Sequence, residues 1–189
     1  MELLNNIGRK ITSSLSIEKV IGTVYNNVNT LMDASVFGTG IYNHQLNTIE
    51  FPCTYENGEP LPFYANAVDD ENRFGSKCFK EGKEIILNNL KQNHEKYLQE
   101  IKVPDKGLQA ISIIFLPLIV KEKKLGVITV QRFKEDAYSE YQLFMLRNIV
   151  IYTSISIDNA ESYEELNHTL STLMITHRQL FQSVNMPSL

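Results

Sequence analysis

Tryptophan is absent from the 189 residues, cysteine occurs twice, and nine glycines and six prolines are scattered without clustering. Each scarcity excludes something. Cys53 and Cys78 stand 25 positions apart, in neither a C-x-x-C nor a metal-ligand spacing, so a disulfide framework or zinc site does not organise the chain and both are expected as free buried thiols. No stretch is rich in glycine, proline or serine, which leaves no flexible linker and predicts order nearly throughout. The longest apolar run, Ile113 to Val120, is far below the roughly 18 to 20 residues that a membrane-spanning helix needs. The N-terminus, Met1-Glu2-Leu3-Leu4-Asn5-Asn6, has no basic region leading into an apolar core, so no secretory signal is visible and a cytoplasmic location is expected. Positive charge is scarce too: 18 Lys and Arg face 22 Asp and Glu, a net charge of -4. The lysines alternate with acids, as in Lys121-Glu122-Lys123-Lys124, so no basic stripe is available for nucleic acid.

What is present is patterned. Leu4, Ile7, Ile11 and Ser14 recur at helical spacing and predict a helix over Glu2 to Ser14. Ser16 is placed as the N-cap of a second helix whose Val20, Ile21, Val24, Val28, Leu31 and Met32 form a core stripe. Val36 to Tyr42 and Thr48 to Tyr55 are β-rich runs joined by a turn-prone Asn43 to Asn47, a hairpin with Gly38 and Gly40 on one bare face. Those two glycines suit close packing or space for a ligand. Glu56 to Val68 is expected as a loop, followed by a short helix capped by Asp69 or Asp70, reaching Lys80 and stopped by Gly82. A short strand at Glu84 to Leu87 and a polar connector from Asn88 to Gln109, with a helical turn at His94 to Ile101, lead to the strongest β signal. This is Ile111 to Val120, apolar on both faces as in a central strand, with a bulge or local unpairing expected at Pro117. After a turn at Lys121 to Lys124, Leu125 to Phe133 alternate, with Leu125, Val127 and Thr129 predicted on one face and Ile128 and Val130 on the other.

The last third predicts one helix. Ser139 and Gln142 form a capping box, with Tyr138 and Leu143 placed as a hydrophobic staple. No glycine or proline follows until Pro187. A stripe of Ile149, Tyr152, Ser156, Asn159, Tyr163, Leu166, Leu170, Leu173, His177, Leu180 and Val184 alternates steps of three and four, the seam of a left-handed coiled coil. A helix from Glu140 to Val184 is about 67 Å long at about 1.5 Å per residue, so its distal half outruns any domain before it and its seam requires a partner helix. Dimerisation supplies one most simply. Polar Ser156, Asn159 and His177 on the seam fix register or let two registers compete.

This order of elements resembles the GAF domain family along roughly residues 7 to 165. Ile11-Thr12-Ser13-Ser14-Leu15-Ser16-Ile17-Glu18-Lys19-Val20 is similar to the family's opening helix pair. Ile111 to Leu118, then Leu125-Gly126-Val127-Ile128-Thr129-Val130, then Ile157-Asp158-Asn159-Ala160 resemble its closing hairpin and last helix. The resemblance implies an α+β fold: a six-stranded antiparallel sheet, terminal helices on one face and a small-molecule pocket on the other. It divides the chain into a sensory domain at 1–160 and a signalling helix at 161–189. It also implies a homodimer through N- and C-terminal helices and a downstream effector such as a histidine kinase, nucleotide cyclase or phosphatase. The pocket would lie between the sheet and Phe63 to Asn89, giving Phe63, Tyr64, Arg73, Phe74, Cys78 and Asn88 as ligand-binding candidates, with Arg73 the anchor for an anionic group. The alternative is that these aromatics close a ligand-free core, leaving a dimerisation module.

Sub-family signatures are missing. Cyclic-nucleotide-binding members carry an Asn-Lys pair with a downstream Phe and Asp-Glu where this chain has Gln131-Arg132-Phe133 and Glu140-Tyr141, and bilin-binding members use a Cys-His pair where Cys78 precedes Phe79 and Cys53 precedes Thr54. Methionine sulfoxide reductases of this fold need two cooperating cysteines, and neither here has an activating neighbour in sequence. No catalytic or metal motif stands out: His94-Glu95-Lys96-Tyr97-Leu98 lacks the second histidine of H-E-x-x-H, Gly38-Thr39-Gly40 lacks a third glycine, and His44, His168 and His177 are dispersed. Asp69-Asp70-Glu71 is explained by helix capping. The expectation is a non-enzymatic sensor whose cofactor, if any, the sequence does not name.

Overall fold

A computed structural model describes residues 2–32, 34–102, 104 and 106–184. Two N-terminal helices, α1 (Glu2–Thr12) and α2 (Ile17–Met32), precede strands β1 (Val36–Asn43), β2 (Thr48–Glu56), β3 (Glu59–Leu61) and β4 (Tyr64–Ala67). Helix α3 (Phe74–Glu81), strand β5 (Ile85–Leu87), the short helix α4 (Leu90–Asn93) and a 3-10 turn (His94–Lys96) follow. The hairpin β6 (Ser112–Val120) and β7 (Lys123–Arg132) then feeds helix α5 (Glu140–Val184). The strands form one antiparallel sheet in the order β3-β2-β1-β7-β6-β5, with β4 also on β2. The segment expected as a loop at Glu56 to Val68 thus holds two short strands: β3 pairs Thr54–Glu56 and β4 pairs Thr48–Phe51, so together they fill the sixth position of the predicted six-stranded sheet.

Alternation decides which core each strand serves. Phe37, Ile114, Leu116, Leu118, Ile128 and Val130 meet Ile7 and Ile11 of α1, the α2 stripe and Leu146, Ile149 and Ile157 of α5. On the opposite face Ile49, Phe51, Ile113, Phe115 and Val127 meet Cys78 and Phe79 of α3, with Leu87 and Leu90. Leu125 departs from the predicted alternation. The register slips between Leu118 and Ile119, so Leu118 faces Gly126, Ile119 faces Lys124, and Leu125 is the extra residue of a bulge that turns it into the helix-side core beside Ile128. Pro117 pairs in register with Val127, one residue short of the irregularity and beyond the Ile113–Phe115 stretch that β5 covers, where β6 has only one neighbour. Gly38 and Gly40 allow close packing: a Cβ on Gly40 would lie 2.7 Å from the Phe51 ring, which stacks on Tyr64 at 4.7 Å.

Helix α3 starts later than predicted and is not capped by either aspartate. Its N-cap is Arg73, while Asp70 accepts from the Asn72 N–H at 3.0 Å to close the turn before it. Gly82 ends α3 in the left-handed conformation, as expected, its N–H donating to the Cys78 carbonyl. The helical turn expected at His94 to Ile101 is present as the 3-10 turn at His94–Lys96, and α4 precedes it, capped by Asn89, which accepts from the Gln92 N–H.

The capping box of α5 is formed, with Gln142 N–H donating to Ser139 Oγ at 3.2 Å and Ser139 N–H to Gln142 Oε1 at 3.0 Å. Two ion-pair sites hold the proximal helix to the domain. Arg147 donates to both Glu84 oxygens at 2.9 and 2.8 Å, and Lys123 reaches Asp158 at 2.9 Å and Glu161 at 3.0 Å. Lys124, the next residue of β7, points to the other face, where its ammonium donates to the Lys80 carbonyl at the end of α3. Ala160 is the last buried residue of α5.

Candidate functional site

Between the sheet and its α3 face lies a cavity of about 110 Å³. Its floor is the pocket face of the sheet, with Thr54, Ile113, Phe115, Thr129 and Gln131. One wall is the start of α3, where Arg73, Phe74 and Gly75 stand beside Tyr64 of β4. The other is the cover segment between the 3-10 turn and β6, which contributes Leu98, Ile101, Lys102, Pro104, Lys106 and Leu108. Rings supply the apolar surface, Phe51 stacked on Tyr64 and Phe74 at 6.1 Å from Phe115. Among the described residues, Arg73, Lys102 and Lys106 supply three positive charges against one lining carboxylate, Glu56.

The cover is tied down at two points. Both oxygens of Asp70 accept from Lys102 Nζ at 2.9 Å, and Glu56 Oε2 accepts from the Leu108 N–H at 2.7 Å. Asp70 also pairs with Arg73 Nε at 3.7 Å, and the Lys102 ammonium holds its carboxyl below the ordinary range.

Of the predicted ligand residues, Tyr64, Arg73 and Phe74 come together on the cavity wall. The others stand elsewhere. Phe63 is 58% exposed and turned out, because Tyr64 is the neighbour that faces inward on the strand. Cys78 is fully buried in the core behind α3, one helical turn past Phe74. Asn88 acts through its carbonyl, which accepts from Ser112 Oγ at 2.8 Å, not through a side chain in the cavity. Lys102, Lys106 and Gln131 were not foreseen. The cover was readable only as a polar connector, although Leu98, Ile101 and Leu108 were a signal that one side of it is buried.

The cysteines occupy opposite faces. Burial, followed by Glu84 and Glu81, pushes the Cys78 thiol up, and Cys53 packs against the helix-side core. Among the described residues no group of three His, Cys, Asp or Glu is placed to hold a metal, and no helix is long and apolar enough to cross a membrane.

On α5 the predicted seam splits in two. Ile149 is fully buried, Ser156 is 1% exposed, and Tyr152 packs over Gly8 of α1, so these three are occupied by their own chain. From Asn159 onward Tyr163, Leu166, Leu170, Leu173, His177 and Leu180 are exposed. Met174, Ile175 and Phe181 are exposed beside them, so the apolar surface is broader than a single stripe. In the proximal half the exposed row is instead Tyr141, Phe144, Ile151 and Ile155. The helix is apolar nearly all round there, and periodicity does not tell the stripe that covers the sheet from the stripe that faces outward. The side chain of Val184, and residues 185–189 of the predicted 161–189 segment, lie outside the described residues.

The sequence profile of the GAF domain matches residues 14–158, most of the chain. The chain belongs to the GAF domain family. Its GAF fold is shared by the GAF domain of an Acinetobacter phosphoenolpyruvate-protein phosphotransferase, with a TM-score of 0.69 and 17% identity over 85% of this chain and 93% of that one. It is shared also by the free methionine-R-sulfoxide reductase of Neisseria meningitidis, with a TM-score of 0.67 and 10% identity over 86% and 90%. At such identities these likenesses concern the fold alone. Over 185 residues this GAF domain is 24% identical to the formate hydrogenlyase transcriptional activator of Salmonella typhimurium strain SL1344, a match that covers 97% of this chain. The chain spans about 27% of that relative's length.

Proposed function

We propose that this GAF domain is a non-enzymatic sensor that takes a small molecule into the cavity beside Arg73 and passes its state through a dimeric α5 to an effector. The observation that carries the reading is the placement of the cavity and the output helix on opposite faces of the same strands. Val127 and Thr129 face the cavity side while Ile128 and Val130 hold α5, so a ligand pressing on one side of β7 bears on the helix at the other. Side chains are close-packed across such an interface and transmit small displacements. The exposed row on α5 favours a second copy as partner, with the sensory unit ending near Ala160 and the signalling helix beginning at Glu161. The separation of Cys53 from a buried, poorly ionised Cys78 argues against reductase chemistry, which needs a thiolate and a resolving thiol in one pocket. Similarity to a transcriptional activator adds transcriptional control to the histidine kinase and cyclase outputs that suit such a helix, in a cytoplasmic protein.

Native mass spectrometry of the purified chain tests both halves of the reading. A dimer carrying a defined extra mass supports the sensor. A ligand-free dimer that remains ligand-free after incubation with a cell metabolite extract would leave only a dimerisation module, and a monomer at micromolar concentration would refute the role of α5.

A further inference from the structure

Two of the basic residues lining the cavity are engaged from outside it. Asp70 is not part of the cavity lining, yet its two oxygens hold Lys102 at 2.9 Å and stand 3.7 Å from Arg73, the two basic residues that reach the cavity from opposite walls. Resting on the reading of this cavity as a ligand site, we propose that its ligand is a small carboxylate or oxyanion and that Asp70 is a built-in competitor, holding Lys102 and Arg73 until the ligand takes them over.

Three observations lead there. Among the described residues the lining carries three basic side chains to one acidic, beside the hydroxyls and amides of Thr54, Asn66, Asn72, Thr129 and Gln131; this predominance of positive charge and hydrogen-bonding groups favours an anion over a cationic guest. The volume of about 110 Å³ suits a molecule of only a few heavy atoms. Finally, Asp70 belongs to the turn that leads into α3, whereas Lys102 belongs to the cover, so the ion pair ties one wall of the cavity to the other. A carboxylate inside and the Asp70 carboxylate outside compete for the same donors, since a single ammonium does not offer both a close two-oxygen contact. Anion capture therefore draws Lys102 and Arg73 inward and loosens the cover from the 70–73 turn, while the Glu56 to Leu108 tether at the far end persists.

The competition is tested with acetate and inorganic phosphate as probes, titrated by calorimetry against chloride at matched ionic strength. Asp70→Asn retains an oxygen for the Asn72 N–H but removes the competing charge, and Asp70→Ser repeats the test should the amide disturb the turn. At least one probe is expected to bind the wild type, to bind Asp70→Asn on the order of tenfold more tightly, and to be lost in Arg73→Gln. An affinity that is unchanged or weakened in both Asp70 variants, with the circular dichroism of the wild type, overturns the competition. If neither probe binds any variant while a neutral molecule is found in the cavity by native mass spectrometry, the anion class is wrong and the sensor reading stands. If the cavity takes neither the probes nor any molecule from a metabolite extract, both readings fail together.

Discussion

Gly126 and Gly22 are expected to respond to the same substitution with opposite signs. A Cβ at Gly126 overlaps the Gly40 carbonyl oxygen and lies 2.9 Å from the Gly40 carbonyl carbon, both of them backbone atoms of the adjacent strand β1. No side-chain rotation relieves that overlap, so Gly126→Ala must part β1 from β7 locally or undo the bulge that turns Leu125 into the core. Forcing extra atoms into a packed interior costs about 1–3 kcal/mol, and an immovable backbone partner puts this case near 3 kcal/mol. For a chain of this length each kcal/mol moves the melting temperature by about 2–4 °C, which gives a fall of about 6–12 °C. Gly22 lies inside α2, where an added Cβ meets nothing within 4 Å. There alanine removes the conformational freedom that glycine loses on folding, a gain of about 0.8–1 kcal/mol and a rise of about 2–4 °C. Differential scanning calorimetry of the two variants beside the wild type measures both. A Gly126→Ala melt within about 2 °C of wild type, or a Gly22→Ala variant that melts lower, would refute the close approach of the two strands or the open surface of α2.

Ser156 lies 1% exposed, and its hydroxyl has no hydrogen-bond partner among the described residues, so Ser156→Ala is expected to stabilise the fold by about 1 kcal/mol in chemical denaturation. Loss of stability would mean that the hydroxyl is satisfied. Because Lys102 depresses the folded Asp70 carboxyl, that group's contribution is complete above the ordinary carboxylate pKa of about 3.9 and is lost as pH falls through it toward the lowered folded value. Wild-type melting should therefore drop more steeply below about pH 5 than that of Asp70→Asn, and parallel curves would contradict the ion pair. Glutamate at both Leu170 and Leu173, which are 44% and 63% exposed, should leave the melting temperature of the domain unchanged but convert a dimer to a monomer in sedimentation. An unchanged mass would place the partner surface elsewhere.

Much of the architecture was legible because single signals dominated. The S-x-x-Q box located the start of α5, Gly82 ended α3, and the apolar run of β6 marked a strand covered on both faces. Leu125 was misplaced because strict alternation assumes an unbroken register, and nothing local in Leu125-Gly126 announced the bulge except the glycine itself. The short strands β3 and β4 were hidden by Pro60 and Gly58, residues that signal loops but are tolerated at a sheet edge. The site was half legible. Tyr64, Arg73 and Phe74 sit on one contiguous wall, whereas Lys102 and Lys106 reach the cavity from a connector about 30 residues further on, and only the fold brings them to Arg73.

Lys123, beside the β6–β7 turn, gives α5 a fulcrum. Lys123 grips Asp158 and Glu161 just where the helix leaves the domain, and beyond that grip every residue from Ser162 to Ser183 is solvent-exposed. The free arm from Asp158 to Val184 is about 39 Å long at about 1.5 Å per residue, so a tilt of about 5° at the grip swings the far end through about 3 Å. That is more than half of the 5.4 Å helical pitch. A displacement too small to disturb the packing around Ile157 thus becomes, at the tip, large enough to misalign one helix with its neighbour. The mechanical gain comes from length alone.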